Sequence, residues 1–144
     1  MLVFAGTWRW FDVRAERTLW RQLVATQSSQ ASQFDESMVA GLPEPARRYF
    51  CYSIRTGTPL VTVAEILMHG EFSLGSEDAP NYMPMTAKQV LAAPHGFIWK
   101  VRAGTRLPIG GSDAAGNGTS WSRFWLAGIY PVPRAGGNPD HARA

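Results

Sequence analysis

Three consecutive stretches between Leu60 and Val101 carry apolar residues at every second position. Alternate side chains of extended backbone point to opposite faces, so Leu60, Ala64, Ile66, Met68, Phe72 and Leu74 share one side with Thr62 and Gly70. The second stretch, Met83 to Leu91, puts Met83, Met85, Ala87, Gln89 and Leu91 on one face. In the third, Phe97, Trp99 and Val101 continue that face while Lys100 and Arg102 point away. Gly75 to Asn81 and Ala93 to Gly96 supply the reversals, so the pattern predicts an antiparallel sheet whose apolar face needs cover. Leu60 to Leu74 would span roughly 50 Å if straight, which places a bend at Gly70.

From Trp8 to Gln27 the spacing turns helical. Trp8, Phe11, Ala15, Leu19 and Leu23 recur at three and four residues, Val13, Trp20 and Val24 flank them, and Arg9, Asp12, Arg14, Arg17 and Arg21 take the remaining surface. This predicts a helix docked on the sheet, with a partner-binding or membrane-surface helix as the alternative. Gln27 to Gln33 loses periodicity and reads as a linker. Leu42-Pro43-Glu44-Pro45 opens a second, short helix through Tyr52, because a proline in the first turn sacrifices no hydrogen bond.

Beyond Gly104 the pattern predicts a short strand within Arg106 to Asp113, a turn at Ala114 to Gly118, and a strand from Thr119 to Ile129 with Trp121, Phe124, Trp125 and Leu126 on both faces. Pro131, Pro133 and Gly136-Gly137 read as the end of order. Three segments result: 1–41, an amphipathic helix and polar linker; 42–137, a helix plus antiparallel sheet; and 138–144, a frayed tail.

Composition narrows the function classes. The 144 residues are 45% hydrophobic and 17% charged, which suits one folded domain. A net charge of +3 arises from 14 Lys and Arg against 11 acids, scattered rather than clustered, which argues against nucleic-acid binding. Cys51 is the only cysteine, so there is no internal disulfide or Cys-built zinc site, and a reducing, cytoplasmic setting is the simplest fit. Met1 to Ala5 lacks the basic start and long apolar core of a signal peptide.

Candidate chemistry is sparse. Glu65, His69 and Glu71 align on the polar face of the first strand, opposite Lys88, Lys100 and Arg102, which predicts cross-strand ion pairs. No nucleophile elbow or phosphate loop occurs, no metal or cofactor set is recognisable, and Cys51 reads as a buried, inert thiol. Asp113, Arg102 and His69 are the candidate catalytic groups if a curved sheet brings them together. Met68, Phe72, Met83, Met85, Phe97 and Trp99 form either a core against the first helix or the wall of a ligand pocket.

Leu42-Pro43-Glu44-Pro45-Ala46-Arg47-Arg48-Tyr49-Phe50, Met68-His69-Gly70-Glu71-Phe72, Met83-Pro84-Met85-Thr86-Ala87-Lys88-Gln89 and Gly96-Phe97-Ile98-Trp99, with Asp113, Gly116 and Gly118, resemble an uncharacterised bacterial protein family. Its motifs are Leu-Pro-x-Pro-Val-x-Arg-Tyr, Met/Gln-x-Gly-x-Phe, Trp-x-Pro-x-x-Ala-x-Gln and Gly-Phe-x-Trp; Ala46 and Tyr82 depart from them. The resemblance implies a domain type without an assigned reaction. It also implies further strands beyond Ala144, so the chain reads as C-terminally truncated, with the Thr119 to Ile129 strand at an open edge prone to self-association. The expected architecture is α+β: N-terminal helices on a curved antiparallel sheet of four or more strands, up to a partial barrel. The leading functional expectation is an apolar or lipid-like small molecule in the concavity, with an enzyme at Asp113, Arg102 and His69, or an interaction module built on Trp8 to Val24, as alternatives.

Overall fold

The computed structural model describes residues 2–136. Helix α1 (Leu2–Val24), a 3-10 turn (Glu36–Val39) and helix α2 (Glu44–Ser53) precede six strands: β1 (Val63–Ser73), β2 (Tyr82–Ala92), β3 (Gly96–Ala103), β4 (Ile109–Gly116), β5 (Thr119–Leu126) and β6 (Tyr130–Gly136). Each strand pairs antiparallel with its sequence neighbour in the order β1-β2-β3-β4-β5-β6. The fold is the α+β arrangement the sequence predicts, and its sheet is open rather than closed into a barrel.

β1, β2, β3 and β5 form where the sequence pattern predicts strands, but β4 runs on to Gly116, so Ala114 to Gly116, expected in a turn, are strand and the reversal is confined to Asn117 and Gly118. Asn117 and Gly118 link β4 to β5 with φ of 52° and 72°, a conformation that asparagine and glycine tolerate and that matches the twist of the flanking strands. β6 corrects the expectation that order ends at Pro131. Proline lacks a donor, yet an outermost strand needs only one of its edges paired. β6 joins β5 through Trp125 opposite Pro131 and Arg123 opposite Arg134, with a register shift between them. The β5 strand, expected at an open edge, therefore lies inside the sheet, and Trp121 and Trp125 are buried.

The docked face of α1 also differs from the predicted stripe. Asp12, Glu16, Leu19 and Leu23, spaced four, three and four apart, are the buried residues, while Trp8 and Phe11 are half exposed. Leu19 and Leu23 pack with Val90, Ala92, Ile98, Ala114 and Trp121. The reason for the rotation lies in the sheet, whose upper part beneath the helix is polar. Glu16 accepts from the Ser112 hydroxyl at 3.0 Å and pairs with Lys100 at 2.8 Å. Asp12 accepts from the Trp125 indole at 2.9 Å and from both terminal nitrogens of Arg134 at 2.8 Å. The Arg134 guanidinium in turn lies 4.6 Å from the Trp8 ring centre, a cation–π contact that uses the half-exposed indole.

The segment predicted as a linker is tied down in part. Phe34 and Val39 are buried, and the Phe34 N–H donates to the Thr58 carbonyl while its own carbonyl accepts from Gly57, both at 2.8 Å. In α2 no residue is buried, and Cys51 is exposed, which corrects the expectation of an inert core thiol.

The sheet curls strongly away from α1. In the register, Trp99 lies level with Gln89 and Ile66, six residues before Phe72 on β1. On a flat sheet that offset is roughly 20 Å along the strand and about 10 Å across it. The Phe72 and Trp99 ring centres are 6.4 Å apart. Only a sheet folded towards that face closes the gap, and β1 does so with no register shift at Gly70.

Candidate functional site

Curling encloses a cavity of about 530 Å³ on the face opposite α1. Phe72 of β1 and Val132 of β6 both line it, so the two outermost strands approach one another across it. Trp99, Val101 and Ala103 of β3, Ile109 of β4 and Phe124 of β5 make the floor, and Leu74 closes one end. Strand parity explains the composition: the register puts Met68, Ala87, Val101, Gly111 and Phe124 in one row and Ile66, Gln89, Trp99, Asp113 and Ser122 in the next. Gly111 brings β4 close to β5, because a methyl group there would run into the Arg123 carbonyl and Phe124.

One charged group lines this apolar space. Asp113 projects from β4 beside Trp99, and its Oδ1 is sealed from solvent without a hydrogen-bond partner among the described residues. A buried acceptor left unpaired costs about 1–3 kcal/mol, more when charged. A donor from outside the chain would remove that cost. The site thus combines a large apolar wall with one acceptor, the makings of recognition for an amphipathic molecule.

All six residues expected at a pocket, Met68, Phe72, Met83, Met85, Phe97 and Trp99, have the parity of this face, and Phe72 and Trp99 line the cavity. Because α1 sits on the other side, they do not form a core against it. The candidate catalytic set does not converge. His69, Thr86, Arg102 and Gly110 form one row on the α1 face, whereas Asp113 faces the cavity, so the sheet itself separates Asp113 from Arg102 and His69. The expected ladder of Glu65 and Glu71 with Lys88, Lys100 and Arg102 is replaced by the Glu16–Lys100 pair from the helix.

On the α1 face the buried carboxylate of Asp12 is perturbed from its ordinary state. Burial by itself pushes its pKa up, but the hydrogen bonds from Arg134 and Trp125 and the charges of Arg134 and Arg123 outweigh that and hold it below the usual carboxylate value. This network anchors the helix and touches no cavity on the other face. Among the described residues no group of three or more His, Cys, Asp and Glu side chains is placed to hold a metal, and no helix is long and apolar enough to cross a membrane.

Periodicity alone misses Val132 and Ile109 as cavity walls, since one lies in a proline-bearing stretch and the other beside Gly110-Gly111. It also misses Asp12 and Glu16; their signal is the four-residue spacing in line with Leu19 and Leu23. A family model described as a family of unknown function, DUF6544, matches residues 32–144, which takes in α2 and the whole sheet but not α1. Searches of curated proteins and of solved structures give no match.

Proposed function

The chain belongs to DUF6544, a family without an assigned reaction, and we propose that its domain binds an amphipathic small molecule in the curled face of the sheet. The ligand has an apolar body and one hydrogen-bond donor, an amine or a hydroxyl. The observation that carries this reading is the Asp113 oxygen, buried and unpaired at the wall of an apolar cavity. The aromatic rings of Phe72, Trp99 and Phe124 contact the body, and Asp113 accepts from the polar end. The volume falls within the roughly 300–1,000 Å³ of small-molecule sites.

Titration calorimetry with dodecylamine, dodecanol and dodecanoate tests it. Amine and alcohol bind saturably and dodecanoate binds more weakly, because its carboxylate meets that of Asp113. Asp113→Leu abolishes the preference while retaining affinity for the alkyl chain, and Trp99→Ala weakens all three. Absence of saturable binding, or a preference that survives Asp113→Leu, would refute the proposal.

A further inference from the structure

A second cavity, of about 450 Å³, lies on the other side of the sheet, between α1 and strands β1 to β4. Arg9 and Arg17 reach it from the helix, Lys88 from β2, and Lys100 and Arg102 from β3; Glu16 is the one carboxylate that lines it. Five cations therefore face one anion. Lys88 and Lys100 stand directly opposite in the β2–β3 register, a like-charge placement that destabilises a sheet unless something neutralises it. Glu16 is committed to Lys100 at 2.8 Å, and it lies 3.8 Å from Arg9, whose Nη1 is sealed from solvent with no hydrogen-bond acceptor among the described residues. Lys88, Arg17 and Arg102 have no ion-pair partner among the described residues. An adjoining cavity of about 350 Å³ shares Lys88 and Lys100 and adds Trp20 and Glu65.

We infer that this cleft binds a phosphate-bearing anion. Low-dielectric walls on both sides concentrate the field of the cations. Arginine forks match phosphate oxygens in geometry, and lysines add point charge. Gly110, level with Arg102 on the floor, opens the space: a methyl group there would meet only the Val101 carbonyl oxygen, at 3.4 Å. Glu16 keeps Lys100 oriented, with Arg9 beside it, and leaves Arg17, Lys88 and Arg102 for the ligand. The site is separate from the Asp113 cavity, and neither proposal depends on the other.

Calorimetry with pyrophosphate at low salt, beside co-sedimentation with phosphatidate-containing and pure phosphatidylcholine vesicles, tests the inference and distinguishes a free phosphate from a lipid headgroup. Pyrophosphate, phosphatidate vesicles or both bind, salt weakens the binding, and Lys88→Gln or Arg102→Gln, both at exposed positions, weaken it about tenfold each with the circular dichroism unchanged. Failure of both probes to bind overturns the inference. So does equal binding by the Lys88→Gln/Arg102→Gln double variant, which would put the anion elsewhere.

Discussion

Replacing Asp12 by alanine removes the acceptor for three donor residues at once. Both Arg134 bonds and the Trp125 bond are lost, together with the weaker Arg123 contact at 3.4 Å. The Asp12 side chain is 4% exposed and Trp125 only 1%, so water cannot replace the acceptor at the indole without opening the helix–sheet contact. Breaking one partner out of a buried charged network costs about 3–5 kcal/mol, most of it the penalty of the groups left behind. With a urea dependence of roughly 1–3 kcal/mol per molar, the midpoint falls by about 2 M. Asp12→Asn keeps one oxygen for a donor and loses the charge, so its cost is smaller. Equilibrium unfolding followed by tryptophan fluorescence measures both. A loss below about 1 kcal/mol for Asp12→Ala, the range of an exposed pair, would show that α1 is not anchored this way.

Three other outcomes follow from the same packing. The Asp12 pKa is lower folded than unfolded, so the unfolded chain binds its proton more readily; the stabilisation is present above the ordinary value of 3.8 and is lost as pH falls through the folded value. Acid titrations of wild type and Asp12→Ala therefore converge at low pH, and parallel curves would contradict the assignment. Leu23→Ala, at a site 1% exposed, costs about 2–5 kcal/mol in urea unfolding; a cost near zero would mean the helix is not part of the core. Gly111→Ala forces β4 from β5 at the Arg123 carbonyl and lowers the thermal midpoint, whereas Gly118→Ala, which meets no neighbouring atom and strains only a φ of 72°, lowers it less. The reverse order would mean that β4 and β5 do not depend on the glycine contact.

β1 to β3 were legible because each alternates between two faces, β5 because large apolar groups occupy both of its faces, and α2 because prolines mark its first turn; β4 was legible only in part, since its Gly and Ala residues carry no alternation and its end reads as a turn. β6 was not, since Pro131 and Pro133 read as terminators and only the presence of β5 beside them shows that an outermost strand can carry them. The orientation of α1 was hidden for another reason. Asp12 and Glu16 belong in the interior only because Lys100, Ser112, Trp125 and Arg134, about a hundred residues away, are there to receive them. Of the cavity, the sequence showed which residues share a face, but the curl that brings Phe72 to Trp99 is a property of the whole sheet. Strand parity, not the curl, separates Asp113 from Arg102 and His69, because the register puts His69 and Arg102 in one row on the α1 face and Asp113 on the other.

The order of synthesis gives the acidic helix face a further consequence. Each strand can zip onto the one made just before it, but Asp12 must wait for Trp125 and Arg134, 113 and 122 residues downstream. At about 5–20 residues per second, the last partner follows roughly 6–24 s after Asp12 itself. A helix whose docking face was wholly apolar would spend that interval exposing a sticky surface beside the ribosome. Asp12 and Glu16 keep half of this face hydrated until Lys100, Ser112, Trp125 and Arg134 have been made, so a helix that emerges before the sheet is suited to dock after it.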